Sequence, residues 1–194
     1  MSPVSRLRIF LLLFDFGVNA VNAIFSADKN WGLGKNGDLL VRIPEDLKDR
    51  FVPLTKNKCV VMGRKTLISL PGSKPLKNRT NLVLTRDKGF TCEGAHIVHG
   101  IEELADYLRE NNVDTSNVCI IGGGEIYALF MPYCHKVYVT RINGEFDADT
   151  FVEDITSEGW SLMEHTPWLT SIAGVEYRYE DYTNPNAKNI LSEF

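Results

Sequence analysis

The chain has 194 residues, 44% of them hydrophobic, which suffices for one domain with a full core. Its 21 basic and 25 acidic side chains leave a formal charge of −4, which argues against non-specific nucleic-acid binding but leaves room for a local basic pocket. Cys59, Cys92, Cys119 and Cys134 show no CxxC or zinc-type spacing, and no apolar run is long enough to span a bilayer.

In chain order, the first segment has Arg6, Arg8, an apolar run over 9–14 and small residues near Ala23, as a secretory leader would. Asp15 breaks that run early, and cleavage after Ala23 would cut the strand expected at 21–27. Residues 1–20 are read as an extension, a start-site artefact rather than a leader. One domain over 21–183 and a loosely ordered tail, 184–194, are expected after it. Short apolar runs predict buried strands at 21–27, 59–62, 80–85, 95–99 and 118–121, and an alternating one at 136–143. Helical patterns lie between them at 44–54, 65–70, 101–110 and 124–131. Finally "WSLMEHTPWL" and "VEYRYEDYT" alternate like an antiparallel hairpin joined through Ala173 and Gly174. The fold class is α/β: one domain, a central, mostly parallel sheet and a C-terminal hairpin. Free cysteines in its strands fit a reducing cytoplasm.

Three stretches could carry chemistry. In "VCIIGGGEIYALF" a buried strand runs through Gly122, Gly123 and Gly124 into a helix, so a ligand can approach the backbone closely. The same pattern also makes a tight structural turn, and it is not the GxGxxG fingerprint. In "CVVMGRKT" a strand ends at Gly63, and Arg64, Lys65 and Thr66 open a helix with groups suited to a phosphate monoester. "TNLVLTRD" ends similarly in Thr85 and Arg86. In a parallel sheet these ends share one edge, where a dinucleotide bearing an extra phosphate would bind. Pro44, Glu45 and Asp46 form an ordinary acidic helix start, and a second use of the acid stays open on pattern alone.

The ordered set "AIFSADKNWGLGKNGDLL", "IPEDLK", "VVMGRKT", "PLKNRTNLVLTR", "IIGGGEIY", "VYVTRI" and "DADTF" resembles the dihydrofolate reductase family, from about residue 21 to residue 183. The resemblance implies a dihydrofolate-reductase-like fold, with an eight-stranded sheet and helices on both faces. It implies NADPH-dependent reduction of dihydrofolate to tetrahydrofolate, by hydride transfer to C6 and protonation of N5, in one-carbon metabolism. By the same resemblance Asp46 binds the pterin 2-amino group and N3, and Thr140 braces it. Ile24, Ser26, Leu47, Phe51, Leu70, Leu76 and Ile121 surround the substrate, and Arg79 clamps the glutamate α-carboxylate. Arg64, Thr85 and Arg86 match the 2′-phosphate pocket, with Lys65 adjacent and His99 near the adenine. Gly63, Thr66, Gly122, Gly123, Gly124, Glu125, Ile126 and Tyr127, with Ser26 and Ile121, surround the rest of the cofactor. "WGLGKNGDLL" matches a mobile lid and brings Leu33, Gly34 and Leu39 to the nicotinamide. A monomer that binds no metal, nucleic acid or membrane is expected.

Three positions depart from the family pattern. Leu40-Val41 stands where the family carries Pro-Trp. Arg50 falls where an aromatic residue is usual, and Phe51 comes one residue late, as though a residue had been inserted. Glu125 follows the glycines where many relatives carry a base. Two other readings compete: a same-fold pyrimidine reductase of riboflavin synthesis, and a nucleotide-binding protein without catalysis.

Overall fold

Strands that are apolar on both faces need cover on both sides, and the arrangement follows from that. The computed structural model describes residues 19–157 and 159–194. The main sheet runs β10(Ser161–His165), β12(Glu176–Thr183), β8(Cys134–Ile142), β1(Val21–Ala27), β7(Val118–Gly122), β4(Cys59–Gly63), β5(Thr80–Leu84), β6(His96–Val98). A short ninth strand, β11(Leu169–Thr170), lies against β12. β1 pairs parallel with β7 and β8, and β4 pairs parallel with β5 and β7. Only the C-terminal strands run antiparallel, β12 against both β8 and β10.

Alternate residues serve opposite layers. Ala23, Phe25, Val61, Leu82 and Ile120 join one buried cluster, while Ile24, Val60, Met62, Val83 and Cys119 join the other. Over the first layer pack α4(Ile101–Glu110) and α5(Gly124–Phe130), through Leu104, Leu108 and Phe130. Each such side chain contributes about 1.5–3 kcal/mol when fully buried. Over the second layer pack α3(Arg64–Ser69), through Leu67, and the segment from α1(Pro44–Asp46) to α2(Val52–Thr55), through Phe51 and Leu54. α4 matches its expected bounds; Glu102 and Glu103 in its first turn and Arg109 in its last complement the helix dipole.

Three features differ from the sequence reading. The helix expected at 44–54 is interrupted by a π-helical turn, Leu47–Phe51. The "lid" contains a second small sheet, in which β2(Gly32–Lys35) pairs with β3(Asp38–Leu39) and β9(Thr150–Phe151). Asn36 and Gly37, both at positive φ (52° and 80°), form the two-residue turn of that hairpin, and their Asn-Gly pair is its sequence signal. The tail is packed rather than loose: Ile190 is fully buried in the first layer, and its N–H donates to the Asn19 carbonyl. The leader-or-extension question falls on residues 1–18, outside those described.

All four cysteines are free. Burial raises the Cys59 and Cys119 thiols to about 12, so they behave as small core hydrophobes. No helix among the described residues is long and apolar enough to cross a membrane.

Candidate active site

The parallel strands β1, β4, β5 and β7 end on one edge of the sheet, where Gly63, Arg64, Thr85, Arg86 and the glycines from Gly122 lie; Ile24 and Thr140 lie within strands, Asp46 on the α1–α2 segment, and Leu76 and Arg79 ahead of β5, at its other end. α1 starts at Pro44 without a side-chain cap, so Glu45 and Asp46 supply the negative charge that suits a first turn. Asp46 lies over the sheet and accepts a hydrogen bond of 2.5 Å from Thr140 Oγ1. Thr140 is 1% exposed and sits between Ser26 of β1 and Tyr179 of β12 in register. Burial pushes the Asp46 carboxyl above its ordinary value, against the opposing pull of the Thr140 bond and the Arg50 charge. A partly dehydrated carboxylate of this kind is a strong acceptor for paired N–H donors. Glu45 turns the other way: its Oε1 accepts from the Ile172 N–H at 2.8 Å, which ties α1 to the turn after β11.

The π turn explains the late aromatic. The Val52 N–H donates to the Leu47 carbonyl, five residues back, so the helix takes up one extra residue without changing direction. Phe51 thereby packs with Leu54, Leu70 and Leu76 against the second layer. Arg50 forms an ion pair with Asp181 and stacks over Tyr138 and Tyr179. Leu47 leaves 57% of its surface exposed beside Asp46, apolar area that a flat ring can cover.

Arg79 lies at the end of this apolar strip, 5.9 Å over the Phe51 ring. Its Nε donates to Thr55 Oγ1 at 3.0 Å and its Nη1 to the Lys77 carbonyl at 2.7 Å. Partial burial lowers its pKa without threatening its charge. Buried Asn81 bonds the main chain of Leu76 in both directions and also the Arg79 carbonyl, and so fixes the loop that carries both residues. Thr55 and Asn81 were absent from the sequence reading. Both look like ordinary polar residues until their partners are known.

On the other side of the edge, Gly63 ends β4 and caps α3, and a Cβ there would press on Ile126 at 3.0 Å. Arg64 Nη1 donates to Asp87 at 2.6 Å, and the guanidinium lies 5.7 Å over Phe90. Lys65 is exposed and Thr66 partly so, with Thr66 Oγ1 3.4 Å from where a Gly123 Cβ would stand. His99 Nδ1 meets the Thr85 carbonyl at 2.8 Å, joining the ends of β5 and β6. The unexpected Glu125 faces Arg86 at 3.7 Å; both are exposed, and such a pair contributes little to stability.

The glycine turn is tight. Gly122 has φ 118°, and a Cβ on it would meet the Tyr127 ring at 3.2–3.4 Å. Tyr127 in turn donates its hydroxyl to the Ile24 carbonyl at 2.7 Å, so the turn is braced on β1 beside Ile121. The Gly122–Gly123 peptide is cis. Gly124 abuts Thr150 and Phe151, which seats β9 and the lid against α5. Fully buried Asp28 accepts from the N–H groups of Asn30, Gly32 and Phe146 and so anchors the lid to β1. Within the lid Gly34 pairs with both neighbouring strands, Leu33 is buried beside Trp31, and Leu39 remains 56% exposed.

A family model described as dihydrofolate reductase matches residues 20–184. The chain is 33% identical to the dihydrofolate reductase of Rattus norvegicus over 184 residues, covering 85% of this chain and 97% of that one. It is 38% identical to that of Staphylococcus haemolyticus over 140 residues, covering 72% and 80%. A solved dihydrofolate reductase from Enterococcus faecalis, complexed with NADP(H) and RAB-propyl, superposes with a TM-score of 0.74. It shares 30% identity, over 85% of this chain and 96% of that one.

Proposed function

The chain belongs to the dihydrofolate reductase family, and from that premise we propose that it reduces 7,8-dihydrofolate to tetrahydrofolate with NADPH. The observation that carries this reading is Asp46, a half-buried carboxylate held by Thr140, with an apolar strip leading from it to the cationic fork of Arg79. A pterin offers paired N–H donors, a ring and, at the far end of its tail, a carboxylate, in that order.

Asp46 accepts from the 2-amino group and N3 and thereby orients the ring. Leu47, Phe51, Leu70 and Leu76 cover the apolar portions, with Ile24, Ser26 and Ile121 at the nicotinamide side. Arg79 holds the α-carboxylate, where two parallel N–H bonds suit its planar group. The cofactor edge fits NADPH: Gly122, Gly123 and Gly124 leave the end of β7 without side chains, and Arg64, Lys65 and Arg86 supply positive charge for phosphates. Bound there, NADPH supplies the hydride that C6 receives. The chain aligns the rings, and the lid formed by β2 and β3, held on β9, excludes bulk water. N5 takes its proton from water, with Val41 where relatives carry tryptophan. We further propose that the product serves one-carbon metabolism, and that the protein is a monomer in a reducing compartment, where its free thiols are stable.

Purified protein should oxidise NADPH only when dihydrofolate is added. Asp46→Asn should lower kcat/KM roughly 10²-fold, the effect of losing one charge-assisted contact of about 2–3 kcal/mol. Unchanged turnover in that variant would remove Asp46 from the reaction.

A further inference from the structure

We propose that Arg50, paired with Asp181, is a positioning residue that acts on the substrate through Asp46. The proposal rests on the assignment of Asp46 to the pterin and adds to it a group behind the carboxylate.

The geometry comes from the sheet register. Thr140 pairs with Tyr179, and Tyr138 with Asp181, so these four side chains form a square on one face of β8 and β12. Asp46 occupies the Thr140 corner. Arg50, delivered to the same face by the π turn, takes the other three: it ion-pairs with Asp181 and stacks 4.9 Å over Tyr179 and 5.3 Å over Tyr138. Its side chain is only 17% exposed, and its Nε is buried without a hydrogen-bond partner. A dehydrated cation is thus fixed one helical turn from the carboxylate, where solvent screens it weakly.

Charge bookkeeping shows what this cation does. Asp46 faces Thr140 from β8 and Tyr177 and Tyr179 from β12, with Asp181 behind Arg50 and with Glu45, Lys48 and Asp49 on its own segment. Arg79 stands beyond Phe51. Among these groups it is Arg50 whose charge opposes the effect of burial on Asp46. Without it, Asp46 would hold its proton to higher pH and present a weaker acceptor. Asp181 limits the effect by neutralising part of the Arg50 charge.

The test is a titration of the Asp46 carboxyl by carbon NMR in the full-length protein, assigned with Asp46→Asn. It is run on the parent, Arg50→Met, Arg50→Lys and Asp181→Asn. Arg50→Met should shift the titration to higher pH and Asp181→Asn to lower pH, with Arg50→Lys staying near the parent. Kinetically, kcat/KM for dihydrofolate at acid pH should fall in Arg50→Met, rise in Asp181→Asn and stay near the parent in Arg50→Lys. A merely structural tie moves both charge-removing variants in one direction or neither, and either result overturns the proposal. Should Arg50→Met fail to fold, the downward shift in Asp181→Asn decides alone. A titration that moves as expected while kcat/KM does not follow would instead overturn the assignment of Asp46 to the substrate.

Discussion

At the scale of single residues, the site carries a cost that can be measured. Burial raises the Asp46 carboxyl above its ordinary 3.8, so the folded chain keeps that proton to higher pH than the unfolded chain does. Between 3.8 and the raised value the folded state binds more protons, and stability falls as pH rises. Above that window the penalty is complete. Asp46→Asn should therefore melt at a higher temperature than the parent at neutral pH, with the advantage shrinking towards zero as pH falls to 3.8, in calorimetric scans. A variant less stable than the parent at neutral pH would show that the Thr140 bond outweighs burial. Arg64 stood out in the sequence at a strand-to-helix turn, whereas Asp46, Thr140 and Arg79 were picked out only by their match to the family pattern. Thr55 and Asp181 were not, because their partners, Arg79 and Arg50, lie 24 and 131 positions away.

At the scale of elements, the strand-to-helix turn at Gly122 combines a strained backbone position with a close side-chain neighbour. Alanine there would combine a positive φ with a Cβ 3.2 Å from the Tyr127 hydroxyl, which is already fixed on Ile24. Gly122→Ala should destabilise the fold by about 1–3 kcal/mol in urea titrations and impair cofactor binding. Gly37→Ala, at φ 80° but with nothing within 4 Å, isolates the backbone strain and should cost about 1 kcal/mol or less. Equal losses at the two positions would mean that Tyr127 yields. Hydrophobic periodicity sufficed for β1, β4 and α4, whose patterns are regular over their whole length. It could not resolve 44–54, because a π turn shifts the phase by one residue and mimics a helix with a misplaced aromatic. The lid hairpin carried its signal in Asn36-Gly37, but its strands are too short for alternation to show.

At the scale of the molecule, the parallel sheet was readable from buried runs that alternate with helices, whereas the strand order was not. Nothing local in β8 says that it lies beside β1 and accepts β12 on its other edge. The tail was misjudged for the same reason: "NPNAKNILSEF" looks polar, yet one residue, Ile190, plugs the first layer beside Asn19. Ile190→Ala should lower the unfolding free energy by about 2–5 kcal/mol with little change in kcat, since the cavity forms in the first layer and the segment that carries Asp46 packs over the second. A smaller loss would mean the tail contributes little to the core. The most direct measurement is a crystal structure with folate and NADP⁺ bound. The pterin 2-amino group and N3 should lie within hydrogen-bonding distance of the Asp46 carboxylate, with the α-carboxylate on Arg79. A pterin bound away from Asp46, or a carboxylate of residue 46 turned into open solvent, would contradict the reading of this site as a dihydrofolate reductase centre.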